Sequence, residues 1–187
     1  MLKSIAVFCG SQAGNNPLFV QQATLIGSYL ANNGIPLVYG GGNVGLMGAI
    51  ANAVMQQGGK AIGIMPTILK EREHHHTGIS ELHVVQDMHE RKKMMYQLCD
   101  AAIILPGGAG TMDELFEMYT WNNLKIHHKP ILILNTAGFY NMLIAHLHTT
   151  TEAGFMYGNW QERIQVFENA EDLISFLDSN KSYSQPE

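Results

Sequence analysis

An α/β fold, a mostly parallel sheet with helices on both faces, is what this sequence predicts. Short β-branched and apolar runs alternate with longer amphipathic stretches, the pattern of strand-helix-strand units. Two of the runs end in glycine clusters that open directly into helical stretches. The 187 residues are 46% hydrophobic and 14% charged, enough apolar material for a core without metal or disulfide staples.

In chain order, the first strand is Ile5 to Phe8. Asn16 then caps a helix with Pro17 at its first position, where no backbone N–H is needed, and Gly34 ends it in the left-handed conformation. The second strand, Leu37 to Tyr39, feeds the first glycine cluster and a helix from about Gly45 to Gln57, closed by Gly58 and Gly59. Ala61 to Met65 and Leu82 to Val85 are the third and fourth strands, separated by the polar stretch Lys70 to Ser80. A helix from Asp87 to about Cys99 leads to the fifth strand, Ala101 to Leu105, then to the second glycine cluster and a helix opening at Thr111. Ile131 to Leu134 and Ile164 to Phe167 complete the strands, with helices from about Phe139 to His148 and from Glu171 to Leu177. Residues 1–179 form a single domain in this reading, and the polar residues 180–187 a frayed tail.

Composition removes several classes of function. Eleven Lys and Arg against sixteen Asp and Glu give a formal charge of -5, so no global positive field draws a nucleic acid polymer, and any phosphate must be held locally. Cys9 and Cys99 have no metal-ligand spacing and are expected as buried free thiols. The apolar run before Gly10 is too short for a signal-peptide core and no stretch reaches membrane-spanning length, so the expectation is a soluble, cytoplasmic protein without membrane contact. His74, His75 and His76 lie in the polar stretch and are expected in a solvated loop, with no partner at ligand spacing and hence no metal site.

The first glycine cluster, Gly40-Gly41-Gly42 through Gly45 to Gly48, lets backbone approach an anion, and the amides of a helix start favour phosphate by about 0.3–1 kcal/mol per charge. Read literally, Gly40, Gly42 and Gly45 satisfy the dinucleotide fingerprint, but the next strand runs into Ile64-Met65-Pro66-Thr67 with no carboxylate for the ribose, which demotes an NAD oxidoreductase. A Walker loop is excluded because neither cluster is followed by Lys and Ser or Thr. The second cluster, Pro106-Gly107-Gly108-Ala109-Gly110-Thr111, opens another helix. Both lie at the carboxyl edge of a parallel sheet, where one nucleotide could touch both.

Glu114 and Glu117 share a face of the helix opened by Thr111. Thr111 to Glu114 also spells a capping box, worth about 1 kcal/mol, so Glu114 is either a cap or an acid facing the cleft. His89, Glu90, Arg91, Lys92 and Lys93 crowd the first turns of the preceding helix. Cations are disfavoured at that end unless an anion lies nearby, and Arg91 could hold a phosphate bidentately; a solvated face with Asp87 and Glu90 as a capping box is the alternative. No nucleophile elbow occurs and Cys9 has no identifiable base, while Ser11 suits hydrogen bonding to a nucleotide.

Taken together, Cys9-Gly10-Ser11, Tyr39-Gly40-Gly41-Gly42 through Gly45-Leu46-Met47-Gly48, Met88-His89-Glu90-Arg91-Lys92, and Pro106-Gly107-Gly108 through Gly110-Thr111 to Glu114 resemble the LOG (Lonely Guy) family of cytokinin riboside 5'-monophosphate phosphoribohydrolases, over about Ile5 to Leu134. The resemblance implies a Rossmann-like fold, a homodimer, and hydrolysis of the N-glycosidic bond of nucleoside 5'-monophosphates, AMP and its N6-substituted relatives, to free base and ribose 5-phosphate. It implies Arg91 and Glu114 as the essential pair and Gly107, Gly108, Gly110 and Thr111 as phosphate or ribose contacts, with Ser11, Gly41, Gly42, Met88 and Lys92 as further substrate neighbours. No metal or organic cofactor is expected. Gln12 stands where a second serine is frequent and Ala109 where a tyrosine is common, departures that bear on base preference. Lysine decarboxylation, a label such sequences often carry, is rejected because no segment presents a Schiff-base lysine with a carboxylate for the cofactor ring. A nucleotide-binding module that senses without catalysis is the alternative function.

Overall fold

The computed structural model describes residues 2–70 and 75–180. Within them β1 (Ile5–Phe8), β2 (Leu37–Tyr39), β3 (Ala61–Pro66), β4 (Glu81–Val85), β5 (Ala101–Ile104), β6 (Ile131–Leu134) and β7 (Ile164–Phe167) form one all-parallel sheet in the order β4-β3-β2-β1-β5-β6-β7. The helices are α1 (Pro17–Asn32), α2 (Gly45–Gln56), α3 (Thr67–Lys70), α4 (Met88–Leu98), α5 (Ala109–Asn123), α6 (Asn141–Glu152) and α7 (Ala170–Ser179).

Strand side chains alternate between faces. Ile5 and Val7 therefore pack with α1, α2 and α7, whereas Ala6 and Phe8 pack with α4, α5 and α6. Burial on both faces explains why strands such as Ala101–Ile104 and Ile131–Leu134 are uniformly apolar, each fully buried Ile or Leu contributing roughly 1.5–3 kcal/mol. At the ends of α1, the Asn16 side chain accepts from the Leu18 amide at 3.0 Å, and Gly34 has a φ of 63°.

Several expectations need correction. α5 opens at Ala109, two residues before Thr111, because Gly108 already takes the extended cap conformation. Thr111 is thus inside the helix, and the capping box with Glu114 does not exist. α6 runs Asn141–Glu152 rather than from Phe139 to His148, and the single turn α3 was not expected, being too short to show a period.

His75 and His76 are not in a solvated loop. His75 bridges to Gly42, and buried His76 donates its amide to the Gly41 carbonyl at 2.9 Å. The His76 ring bonds Asn52 Oδ1 and the Gly78 amide, both at 3.0 Å, and its burial lowers its pKa, keeping the ring neutral. His74 lies outside the described residues, as do positions 181–187 of the expected tail; Asn180 is still tied to the Phe176 carbonyl at 3.1 Å. Among the described residues no group of His, Cys, Asp or Glu could hold a metal ion, and no helix is long and apolar enough to cross a membrane.

The strand order reverses between β1 and β5. Loops leaving those two strands diverge there, which opens a crevice beyond their carboxyl ends.

Candidate active site

A cleft of about 310 Å³ occupies that crevice. Its floor is Val7, Cys9, Gly10 and Ser11, where β1 gives way to its loop. One wall is the first turns of α5, Gly108 to Thr111 and Glu114; the other carries Gly40, Met47, Leu69, Met88 and Arg91.

The two glycine clusters meet here but do different jobs. At α2 the first-turn amides are already satisfied: Leu46 and Met47 donate to the Gly10 carbonyl at 3.1 and 3.4 Å. Gly45, with a φ of 61°, sits so tightly on the Ser11 backbone that a β-carbon would overlap it. The start of α2 is therefore closed by packing, so of the two helix starts expected to be ready for an anion only that of α5 keeps its first-turn amides on the cleft. At α5 the amides of Ala109, Gly110 and Thr111 precede the first residue able to bond within the helix, and these residues line the cleft. The Gly10 amide bonds the Pro106 carbonyl at 3.0 Å, locking the β1 and β5 loops together. A β-carbon on Gly107 would overlap Thr111 Oγ1, so glycine there lets the threonine fold back against the turn.

Arg91 and Glu114 arrive from α4 and α5 and are both buried, with Arg91 Nη2 3.9 Å from Glu114 Oε1. Asp87 anchors the start of α4 by accepting from the Glu90 amide at 2.8 Å. Arg91 Nη1 contacts Met88 Sδ at 3.8 Å, while buried Nε has no hydrogen-bond partner, so the guanidinium keeps donor capacity inside the cleft. Burial pushes the Glu114 carboxyl up to about 7; Arg91 pulls the other way. Cys9 shares the site, but burial, with the Glu114 charge beside it, drives its thiol far up and keeps it protonated, which removes it as a nucleophile.

Of the expected site residues, Ser11, Met88, Arg91, Gly108, Gly110, Thr111 and Glu114 line this cleft, whereas Gly41, Gly42, Lys92 and Gly107 do not. Lys92 Nζ lies 3.1 Å from Asp113 Oδ2 and 3.2 Å from Glu117 Oε1, so carboxylates of α5 resolve the crowding of cations at the start of α4. Burial works to lower the Lys92 pKa, but the bonds to Asp113 and Glu117 outweigh it and hold the pKa raised. Sequence reasoning missed Leu69, on the single turn of α3, and the role of Gly40, whose missing β-carbon leaves room for Arg91 Nη2.

Comparison with known proteins adds independent findings. The family model described as possible lysine decarboxylase matches residues 47–177. The chain is 41% identical to the cytokinin riboside 5'-monophosphate phosphoribohydrolase of Rhodococcoides fascians, covering 95% of this chain and 90% of the relative. It is 44% identical to a probable enzyme of that name from Oryza sativa subsp. japonica, covering 91% and 76%, and 42% identical to one from Arabidopsis thaliana, covering 94% and 83%. Among solved structures, the molybdenum cofactor binding protein of Rippkaea orientalis superposes with a TM-score of 0.74 at 22% identity, covering 97% of this chain and 99% of that one. The last likeness shows the fold alone. Decarboxylation through pyridoxal phosphate needs a lysine amine and an acid at the ring nitrogen, and the described residues that line the cleft include no lysine, so they do not fit that cofactor.

Proposed function

The chain belongs to the LOG family of cytokinin riboside 5'-monophosphate phosphoribohydrolases, and from that premise we propose that it hydrolyses the N-glycosidic bond of AMP and N6-substituted AMP to free base and ribose 5-phosphate. The observation that carries this reading is the buried Arg91 and Glu114 pair, set in one cleft with the open first turn of α5. The 5'-phosphate rests on the amides of Gly110 and Thr111, where the helix dipole favours an anion, with Gly108 and Ser11 alongside. Val7, Met47, Leu69 and Met88 supply an apolar wall for the base.

Breaking the bond between C1' and the base nitrogen builds positive charge on the sugar, which an ionised Glu114 stabilises. The same carboxylate orients a water and takes its proton as the oxygen bonds to C1', and that proton ends on the departing base. Arg91 fixes the sugar and balances the charge of Glu114. Binding energy from the phosphate, remote from the broken bond, holds C1' against the acid. The chemistry calls for no metal or organic cofactor.

We also assign a homodimer, for which exposed Phe116, Leu124 and Ile126 along and just beyond α5 offer apolar surface, and a cytoplasmic location, on the two free cysteines. The experiment is incubation with nucleoside 5'-monophosphates and their dephosphorylated nucleosides, with detection of free base and ribose 5-phosphate. Hydrolysis restricted to the phosphorylated substrates is expected. Tight AMP binding without product would favour a sensing module and overturn the enzymatic reading.

A further inference from the structure

The carbonyl of Leu105 is the last one before the chain turns through Pro106 and Gly107 into α5. It lies beyond the ladder: the pairings of β5 with β1 and with β6 both end at Ile104. Leu105 is itself only 1% exposed, which leaves water no ready access. Its donor comes from the loop after β6, where buried Tyr140 Oη bonds the Leu105 oxygen at 2.6 Å.

Tyr140 is in turn held from two sides. Its amide donates to Asn135 Oδ1 at 2.7 Å, and Asn135 Nδ2 reaches Asn141 Oδ1 at 2.8 Å and Glu168 Oε1 at 3.1 Å. Its ring meets Phe139 edge-on, with centroids 4.8 Å apart. Burial drives the phenol pKa upward, so the hydroxyl stays a donor. The β5 turn is thus clamped by Gly10 on Pro106 from one side and by Tyr140 on Leu105 from the other.

The geometry points to Tyr140 as a positioning residue for the phosphate-gripping turn: its hydroxyl fixes where the amides of Gly110 and Thr111 stand without touching the substrate. This deepens the phosphoribohydrolase reading and rests on it. Phenylalanine fills the same volume, so Tyr140→Phe removes one bond and leaves a buried carbonyl unsatisfied. Loss of that bond loosens the turn through Pro106 and Gly107 that sets the start of α5, ahead of Gly110 and Thr111, while Arg91 is held by α4 and Glu114 lies a turn further along α5.

The test is steady-state hydrolysis of AMP by Tyr140→Phe, with inhibition by ribose 5-phosphate and by adenine measured in parallel. KM for AMP rises about tenfold and kcat changes less than about twofold, the size expected for one lost buried hydrogen bond. Inhibition by ribose 5-phosphate weakens by the same factor, and inhibition by adenine is unchanged. 4-Aminophenylalanine at position 140, which keeps a donor at the end of the ring, restores KM. Phe139→Leu, which loosens the same aromatic cluster but spares the hydroxyl, leaves KM near that of the parent.

Unchanged KM in Tyr140→Phe, equal weakening for adenine, or a variant that does not fold overturns the proposal; the last would assign the hydroxyl to stability alone. A parent protein that fails to hydrolyse AMP overturns the functional reading instead, so the two failures are distinguishable.

Discussion

The Arg91 guanidinium lies across Gly40, in space that any larger residue would claim: a β-carbon built on Gly40 overlaps Nη2. Gly40 is not in the left-handed region, so its backbone accepts alanine and the cost falls on Arg91. Gly40→Ala is expected to push the guanidinium from its place near Glu114 and lower kcat/KM for AMP about a hundredfold, the scale of an ångström-sized misplacement at a reacting centre. Thermal unfolding should move by only a few degrees. Near-parental kcat/KM would mean that Arg91 is not needed where the structure puts it.

Glu114 ties activity and stability to pH in opposite senses. Its folded pKa, about 7, is above the ordinary 4.5, so its contribution to stability is whole below about 4.5 and is lost as pH rises through about 7. Glu114→Gln removes that dependence, and its Tm should gain on the parent's between about pH 5 and pH 8. Turnover runs the other way, because the ionised form orients water: kcat should climb with a midpoint near 7 in the parent and be at least about a hundredfold lower in Glu114→Gln. A parent kcat that falls across that range would contradict the assigned role.

Lys92 acts on the site through charge. It favours the ionised form of Glu114 and neutralises Asp113 and Glu117, which both disfavour it. Lys92→Met should therefore raise the Glu114 pKa further and shift the rising limb of the kcat profile to higher pH. KM for AMP should stay within about twofold, since Nζ is engaged by carboxylates and not by the cleft. A large rise in KM with an unmoved pH profile would make Lys92 a direct phosphate ligand.

Local pattern carried a great deal of this molecule. Strands buried on both faces cannot hide their apolar runs, and β1, β2, β6 and β7 occur at the expected residues. Asn16, Pro17 and Gly34 marked the ends of α1 because capping is chemistry between neighbours in the chain. Arg91 and Glu114 stood out through the company of their motifs, and α4 and α5 bring them to one cleft.

What sequence alone determined, then, was the succession of strands and helices and the residue types available at each turn, since period and capping act over a few residues. Tertiary structure decided which helix start stays open: the carbonyl that fills the start of α2 belongs to Gly10, some thirty-five residues upstream, while at α5 the first-turn amides line the cleft. It likewise sent Glu114 into the cleft rather than back to a cap, buried His76 against Asn52, and placed Tyr140 behind the phosphate turn. Each of these depends on which distant segment supplies the partner for a buried polar group, and that is fixed only when the sheet brings the segments together.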